Sequence, residues 1–144
     1  MSAEENKSLV RRYIQEVWDR QNPAAVDEFL ASNYQRHISP TAAPLNRDGQ
    51  KQRLAGLRAA FPDIQLTLEE MFAEGDRVAF RSTIRGTHQG VFQGLAPTGR
   101  HVTVSLLDMV RVANGKIAEQ WGGPDFLDWL RQLGAVVPAG PESQ

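Results

Sequence analysis

The residue best placed to do chemistry is an aspartate among apolar neighbours in a strand-like segment. In residues 102–112, read V-T-V-S-L-L-D-M-V-R-V, every second side chain from Val102 onward is apolar except Asp108. Because side chains alternate between the two faces of a strand, Asp108 shares a face with valines and a leucine. A buried carboxylate is costly unless it is hydrogen-bonded or used in a reaction. Asp108 is therefore the first candidate for a catalytic group.

Two interpretations of Asp108 remain open. Apolar surroundings disfavour the charged carboxylate, which suits either a general base working near neutral pH or a protonated acid that donates to a carbonyl oxygen. In the structural alternative, Asp108 is tied to the backbone or lies beside Arg81 or Arg111. The alternation places Asp108 inside and favours the functional interpretation.

Two further polar residues complete the predicted catalytic set. Gln120 lies on the same face of its strand as Gly122, and its amide can donate to an oxyanion or accept from a hydroxyl, although it cannot act as a base. A polar group bonded only to its neighbours is an equal alternative for Gln120. His37 is interpreted either as a proton carrier at the pocket mouth or as a hydrogen-bonding partner of the loop at Ser39.

A set of large side chains is predicted to form the core or the wall of a pocket. Their spacing puts them on inward faces of helices and strands, where packing is the commoner role. Trp121 lies opposite Gln120 on its strand and is predicted to pack on the outer face of the sheet. A glycine pair at 122–123 is expected to leave extra room at the pocket floor. The predicted substrate-binding residues are Tyr13, Trp18, Phe61, Met71, Phe80, Leu106 and Gly122.

The order of elements predicts an α+β fold. Helical spacing appears over residues 4–20 and 47–61, with a short helix after Asn22-Pro23 and a last one between Pro124 and Gly134. Helices that precede a meander of strands pack on one face of the sheet. Strands are predicted near residues 34–38, 64–68, 78–84, 91–92, 102–112 and 116–122, with an Asn114-Gly115 hairpin turn before the last.

This arrangement predicts a cone-shaped α+β barrel, with N-terminal helices on a strongly curved, mainly antiparallel sheet and a short C-terminal helix. The apolar interior of such a cone is a natural pocket for a small hydrophobic or aromatic molecule. We expect one domain over residues 1–136 and a flexible tail over 137–144, where proline, glycine and polar residues close the chain.

Composition excludes several classes of function. The chain has 16 basic and 17 acidic residues, so it lacks the basic excess that nucleic-acid binding needs. There is no cysteine, and the three histidines lie far apart, so neither a disulfide nor a metal site is expected. No apolar run reaches the roughly 20 residues of a membrane span, and the N-terminus does not read as a secretory signal. We expect a cytoplasmic protein without contact to membranes.

Four segments carry a family resemblance. They resemble the SnoaL-like polyketide cyclases and the related ester cyclases, within the ketosteroid-isomerase-like, nuclear-transport-factor-like superfamily. The resemblance spans Glu5 to about Gly134. The segments are N-K-S-L-V-R-R-Y-I-Q-E-V-W at 6–18, G-T-H-Q-G-V-F-Q-G-L-A-P-T-G-R at 86–100, V-A-N-G-K-I-A-E-Q-W at 112–121 and P-D-F-L-D-W-L-R-Q-L-G at 124–134.

The resemblance implies a cofactor-independent ring closure of an aromatic polyketide ester by intramolecular aldol chemistry, in a homodimer. A pocket carboxylate on the last strand removes a proton from the carbon beside a carbonyl in that family. The matching position here is Gly122, so the family's usual base is absent. Asp108 falls where the family has a pocket histidine, across the hairpin from Gly122. An acid at 108 then projects into much of the space that an acid at 122 would fill.

Two other functions stay open. The missing acid at Gly122 favours a non-catalytic binding protein for a small hydrophobic molecule, which returns its ligand unchanged. Addition of water to an epoxide ranks last, because that reaction needs two carboxylates around an arginine and only Asp108 is well placed.

Overall fold

A curved five-stranded sheet forms the framework of the protein, in a computed structural model that describes residues 2–135. The strands lie in the order β1-β5-β4-β3-β2, with β1 parallel to β5 and every other pair antiparallel. The strands are β1 Leu30–His37, β2 Gln65–Glu74, β3 Arg77–Thr87, β4 His101–Ala113 and β5 Lys116–Pro124. Register shifts within three of the four strand pairs bend the sheet.

The helices are α1 Ala3–Ile14, α2 Ala25–Phe29, α3 Arg47–Ala60 and α4 Phe126–Gln132. Together with the sheet they confirm the predicted α+β class and the curved, mainly antiparallel sheet. The predicted tail at 137–144 lies outside the described residues. Within residues 2–135, no helix is both long and apolar enough to cross a bilayer.

Two predicted elements differ from the structure. The first helix ends its regular α-helical part at Ile14 and continues as a π-helical turn, Gln15–Asp19. Arg58 of α3 donates to the carbonyl oxygen of Val17 at 2.8 Å, which satisfies a backbone group in this wider turn. The strand predicted near 91–92 is wrong, because only an isolated bridge joins Phe92 to Leu95.

The inward face of β4 carries the core. Val102, Val104, Leu106 and Val110 are all buried and alternate with more exposed residues, as the sequence pattern predicts. Asp108 lies on this face and is only 5% exposed. The alternation therefore identifies a buried acid correctly.

The β4–β5 hairpin determines what lies opposite Asp108. Asn114 and Gly115 both have positive φ, which suits a tight two-residue turn. This turn alone would pair Asp108 with Trp121, but a register shift between Arg111 and Val112 moves the pairing by one residue, so Gly122 lies directly opposite Asp108. The prediction that Asp108 lies near the level of Trp121 and Gly122 is confirmed.

Gly122 permits a close approach between strands and does not create extra room. Its φ is +99°, and a Cβ there would overlap the carbonyl oxygen of Leu107 and come within 3.0 Å of Asp108 Oδ1. The prediction that the pair Gly122-Gly123 leaves extra room at the pocket floor is therefore wrong for Gly122, whereas a Cβ at Gly123 would make only an ordinary contact with Arg36, at 3.5 Å. An aspartate at 122 does not fit this backbone without a rearrangement of the two strands.

The outer face of the sheet bears an apolar row that crosses four strands. Phe72, Ala79, Met109 and Trp121 lie side by side in register. Phe72 is 68% exposed, and nearby Leu107 is 64% exposed. The predicted outward position of Trp121 is confirmed, and the homodimer remains a prediction with which this row is compatible.

We expect Gly122→Ala to destabilise the protein by about 2–4 kcal/mol, since it adds both backbone strain and overlap with β4. Gly56→Ala is a matched control, because Gly56 lies within α3 and nothing is within 4 Å of its added methyl group. We expect this control to be stabilising by about 0.5–1 kcal/mol. Urea unfolding of both variants measures the difference, and equal stability of the two would contradict the close packing at Gly122.

Candidate active site

Three neighbouring strands bring a chain of hydrogen bonds into the core. The Tyr34 hydroxyl donates to Gln120 Oε1 at 2.6 Å, and Gln120 Nε2 donates to Asp108 Oδ2 at 2.7 Å. All three residues are at least 95% buried. The Gln120 amide is thus used at both ends, which fixes its orientation and holds one oxygen of the Asp108 carboxylate.

The charge partner of Asp108 is Arg36 of β1. The Arg36 side chain is 2% exposed, and its Nη2 lies 3.5 Å from Asp108 Oδ1 and donates to the Gly122 carbonyl oxygen at 3.2 Å. The distance to Oδ1 is long for a charge-assisted hydrogen bond, so Arg36 acts on Asp108 mainly through its charge. Asp108 Oδ1 accepts no hydrogen bond from any described residue.

Arg36 is a site residue that is not predicted from the sequence. Tyr34 and Arg36 alternate on the buried face of β1, so Arg36 is a lone charge among buried residues. The signal in the sequence is weaker than for Asp108, because Ser32 on the same face is polar and exposed. The two arginines considered as partners lie elsewhere, since Arg81 pairs with Glu70 and Arg111 pairs with Glu119.

Burial raises the pKa of the Asp108 carboxyl above its usual value, because the charged form loses its hydration. The positive charge of Arg36, the hydrogen bond from Gln120 and the charge of Arg53 oppose this shift without cancelling it. Burial also raises the pKa of Tyr13 and of Tyr34, so both phenols stay protonated at neutral pH. Tyr34 can therefore act as the donor at the start of the chain.

Two cavities lie on either side of Arg36. The inner chamber, of about 20 Å³, adjoins Asp108 and Gln120 and holds no more than one or two water molecules. The outer cavity, of about 670 Å³, lies between α3, the loop at 91–93, the end of β5 and α4. Its size is typical of small-molecule sites. Arg36 and Arg53 line both spaces.

The predicted wall residues divide between these spaces and the core. Tyr13, Trp18, Phe80 and Leu106 line the inner chamber together with the acid. Gly122 lines the outer cavity. The predicted interior around Asp108 is thus partly polar, because two arginines and Gln50 share it with the apolar side chains.

Phe61 and Met71 line neither cavity. Phe61 is fully buried in an aromatic cluster. Its ring is stacked on that of His88 and tilted against that of Trp129, with 5.3 Å between ring centroids in each pair. Met71 of β2 is half-buried opposite Phe80 and packs against the core. Both residues therefore have packing roles, which was the alternative open to them from the sequence.

The structure corrects the predicted position of His37. Because Arg36 points inward, the next residue on the strand points outward, and the His37 ring stacks on Trp121 at 5.3 Å. Its Nε2 lies 2.9 Å from Glu119 Oε2, and this contact, followed by Arg111, lowers the pKa of Glu119. His37 contacts neither the loop at Ser39 nor either cavity.

Comparison with known proteins gives concordant results. The family model for SnoaL-like polyketide cyclases matches residues 8–133. The aklanonic acid methyl ester cyclase DauD of Streptomyces sp. (strain C5) is 31% identical over 137 residues, which cover 90% of this chain and 82% of DauD. The nogalonic acid methyl ester cyclase of Streptomyces nogalater is 34% identical over 122 residues, which cover 83% and 81% of the two chains.

A solved structure shows the same fold. AclR of Streptomyces galilaeus, a candidate hydroxylase, superposes with a TM-score of 0.84 at 28% identity, and the match covers 99% of this chain and 93% of AclR. The sequence relatives are cyclases, and the match of the family model extends over almost all of the described residues. The chain therefore belongs to the SnoaL-like polyketide cyclase family.

Proposed function

We propose that this protein is a cofactor-independent cyclase that closes a ring of an aromatic polyketide by acid/base chemistry at a carbon beside a carbonyl. The observation that carries the proposal is the buried carboxylate of Asp108, held at one oxygen by Gln120 and left without a hydrogen bond at the other within the described residues. The naming of the sequence relatives as methyl ester cyclases supports the reaction class.

Asp108 Oδ1 is the proton acceptor in this proposal. Its pKa, raised by burial, brings the carboxylate closer in basicity to a carbon acid than an exposed aspartate would be. As the C–H bond breaks, its electrons move to the carbonyl oxygen and form an enolate. Arg36, with its charge beside Oδ1, stabilises this developing negative charge.

Ring closure follows without any co-reactant. The enolate carbon forms a bond to a second carbonyl carbon of the same substrate, whose oxygen becomes an alkoxide. Protonated Asp108 returns its proton to that alkoxide, which restores the carboxylate. Substrate and product are isomers, so atoms and electrons balance.

The outer cavity is the proposed substrate site, because the inner chamber has no room for a ring system. Arg36 and Gly122 both line the outer cavity and both adjoin Asp108 Oδ1. The reacting carbon approaches the carboxylate along these two residues. This approach requires a shift of the Arg36 side chain, which lies between the cavity and the acid.

A second candidate function is a non-catalytic binding protein for a hydrophobic or aromatic molecule. It is favoured by the ion pair between Arg36 and Asp108, which occupies the acid in a chamber of about 20 Å³. Epoxide hydration is disfavoured, because Arg36 has a single acidic partner, Asp108, among residues 2–135.

Asp108→Asn is expected to abolish cyclisation while leaving ligand binding largely intact, because it removes the base and keeps the shape. Suitable substrates are aklanonic acid and nogalonic acid, both as methyl esters and as free acids. Product is an isomer, seen as a new chromatographic peak of unchanged mass. Asp48→Asn, at a side chain 81% exposed on α3, is the matched control and keeps full activity. Turnover by Asp108→Asn rejects Asp108 as the base, and unchanged substrate from the wild type favours the binding protein.

The pH dependence of stability offers a second prediction. Because burial raises the folded-state pKa of Asp108 above its unfolded value of about 3.9, the folded state binds this proton more tightly. The associated stability is fully present below the unfolded value and is lost as pH rises through the raised pKa. The free energy of unfolding of the wild type, minus that of Asp108→Asn, should therefore fall over this window in urea titrations. If this difference in the free energy of unfolding rises with pH instead, the charge of Arg36 lowers the pKa of Asp108 by more than burial raises it.

A further inference from the structure

The outer cavity has an unbalanced positive charge. Two of its lining residues are arginines, Arg36 and Arg53, and no aspartate or glutamate among the described residues lines it. Much of the remaining wall is apolar, with Val91, Phe92 and Trp129 among its members. A charge on a low-dielectric wall attracts an opposite charge more strongly than it would in water.

Arg53 has no role in the proposed reaction, which uses Asp108 and Arg36. It lies on α3 and lines both the inner chamber and the outer cavity. Burial and the neighbouring charge of Arg36 lower its pKa to about 10, so it is still charged at neutral pH. Arg53 forms no ion pair with a carboxylate within 4.0 Å in the described part of the chain, unlike Arg81 and Arg111 on the outer face.

The one buried acid nearby cannot neutralise both arginines. Asp108 is already paired with Arg36, and it influences Arg53 only through its charge. Arg36 also keeps one buried atom, Nε, without a hydrogen-bond partner among residues 2–135. Arg53 is only partly buried, but it lines a largely apolar cavity without a carboxylate partner in the described residues, and this points to an anionic group supplied by the ligand.

We infer that the outer cavity takes an aromatic polyketide bearing a free carboxylate, which binds to Arg53 with Arg36 beside it, while the rings pack against Phe92 and Trp129. A planar guanidinium matches a carboxylate through two parallel hydrogen bonds, which a methyl ester cannot reproduce. The inference rests on the proposed function only in taking the outer cavity as the substrate site. It gives this chain a preference for acids, whereas the named relatives are methyl ester cyclases.

The test uses two unreactive probes that differ only in charge, 2-naphthoate and methyl 2-naphthoate. Trp129 lines the cavity, so quenching of tryptophan fluorescence reports occupancy, and calorimetry gives the affinity. Wild-type protein should bind naphthoate about tenfold or more tightly than the ester, as expected for a charge-assisted contact. Added salt should weaken naphthoate binding and leave the ester unaffected.

Arg53→Gln should abolish this preference by weakening naphthoate binding about tenfold or more while the ester binds as before. Arg53→Lys, which keeps the charge, should retain part of the preference. Lys51→Gln is the matched control, because it removes one charge from the same helix at a residue that pairs with Asp27 outside the cavity. Lys51→Gln should keep the wild-type preference.

Equal affinity of the wild type for the two probes, or an unchanged preference in Arg53→Gln, overturns the inference. Neither result depends on turnover. The proposed cyclase function is tested separately, by the activity of Asp108→Asn. If the wild type prefers naphthoate but Asp108→Asn is still active, the carboxylate site is supported and Asp108 is rejected as the base. Equal affinity of the wild type for the two probes, together with an inactive Asp108→Asn, supports Asp108 as the base and rejects the carboxylate site.

Discussion

The cost of burying one carboxylate organises the interior of this protein. Asp108 lies on the apolar face of β4, where its charged form loses almost all contact with water. Gln120 holds one oxygen, Tyr34 holds Gln120, and Arg36 supplies an opposite charge. Each of these partners comes from a different position in the chain. The sheet order β1-β5-β4 makes them neighbours, and without them the acid would be a simple destabilising defect.

The last hairpin brings β4 and β5 close together beside Asp108. The register places Gly122 directly opposite, with a positive φ that side chains rarely adopt. Any side chain at Gly122 would overlap the backbone of β4. The absence of a side chain at Gly122 lets β5 approach β4 closely, and Asp108 lies directly across the ladder on the inward face of β4.

Much of the architecture follows from sequence patterns that are local. Alternation along β4 predicts both the strand and the inward position of Asp108, and Asn114-Gly115 predicts the hairpin that brings β5 opposite β4. The register shift at Arg111 and Val112, which places Gly122 rather than Trp121 opposite Asp108, has no such local signal. Long-range features are harder to predict. Arg36 meets Asp108 because β1 pairs with β5 in parallel, a contact between residues 72 positions apart that no local spacing reports.

Errors in the predicted site have equally physical causes. His37 follows a residue that points inward, so the alternation of β1 turns it outward to Glu119 and Trp121. Phe61 has the size of a pocket residue but lies in an aromatic cluster at the end of α3. The outer cavity itself is formed by α3, α4 and the loop at 91–93, elements whose relative positions depend on packing across the whole fold.

In the proposed reaction, the carboxyl group of Asp108 accepts the substrate proton. The most direct measurement compares two pKa values. One is that of the Asp108 carboxyl, from a carbon-13 NMR titration of labelled aspartate in which Asp108→Asn assigns the signal. The other is the pKa of the acidic limb in the pH profile of kcat/KM for cyclisation. Since kcat/KM reports the ionisation of the free enzyme, we expect the two values to coincide and to lie above the ordinary aspartate value. A rate that does not follow the titration of Asp108 would contradict this account.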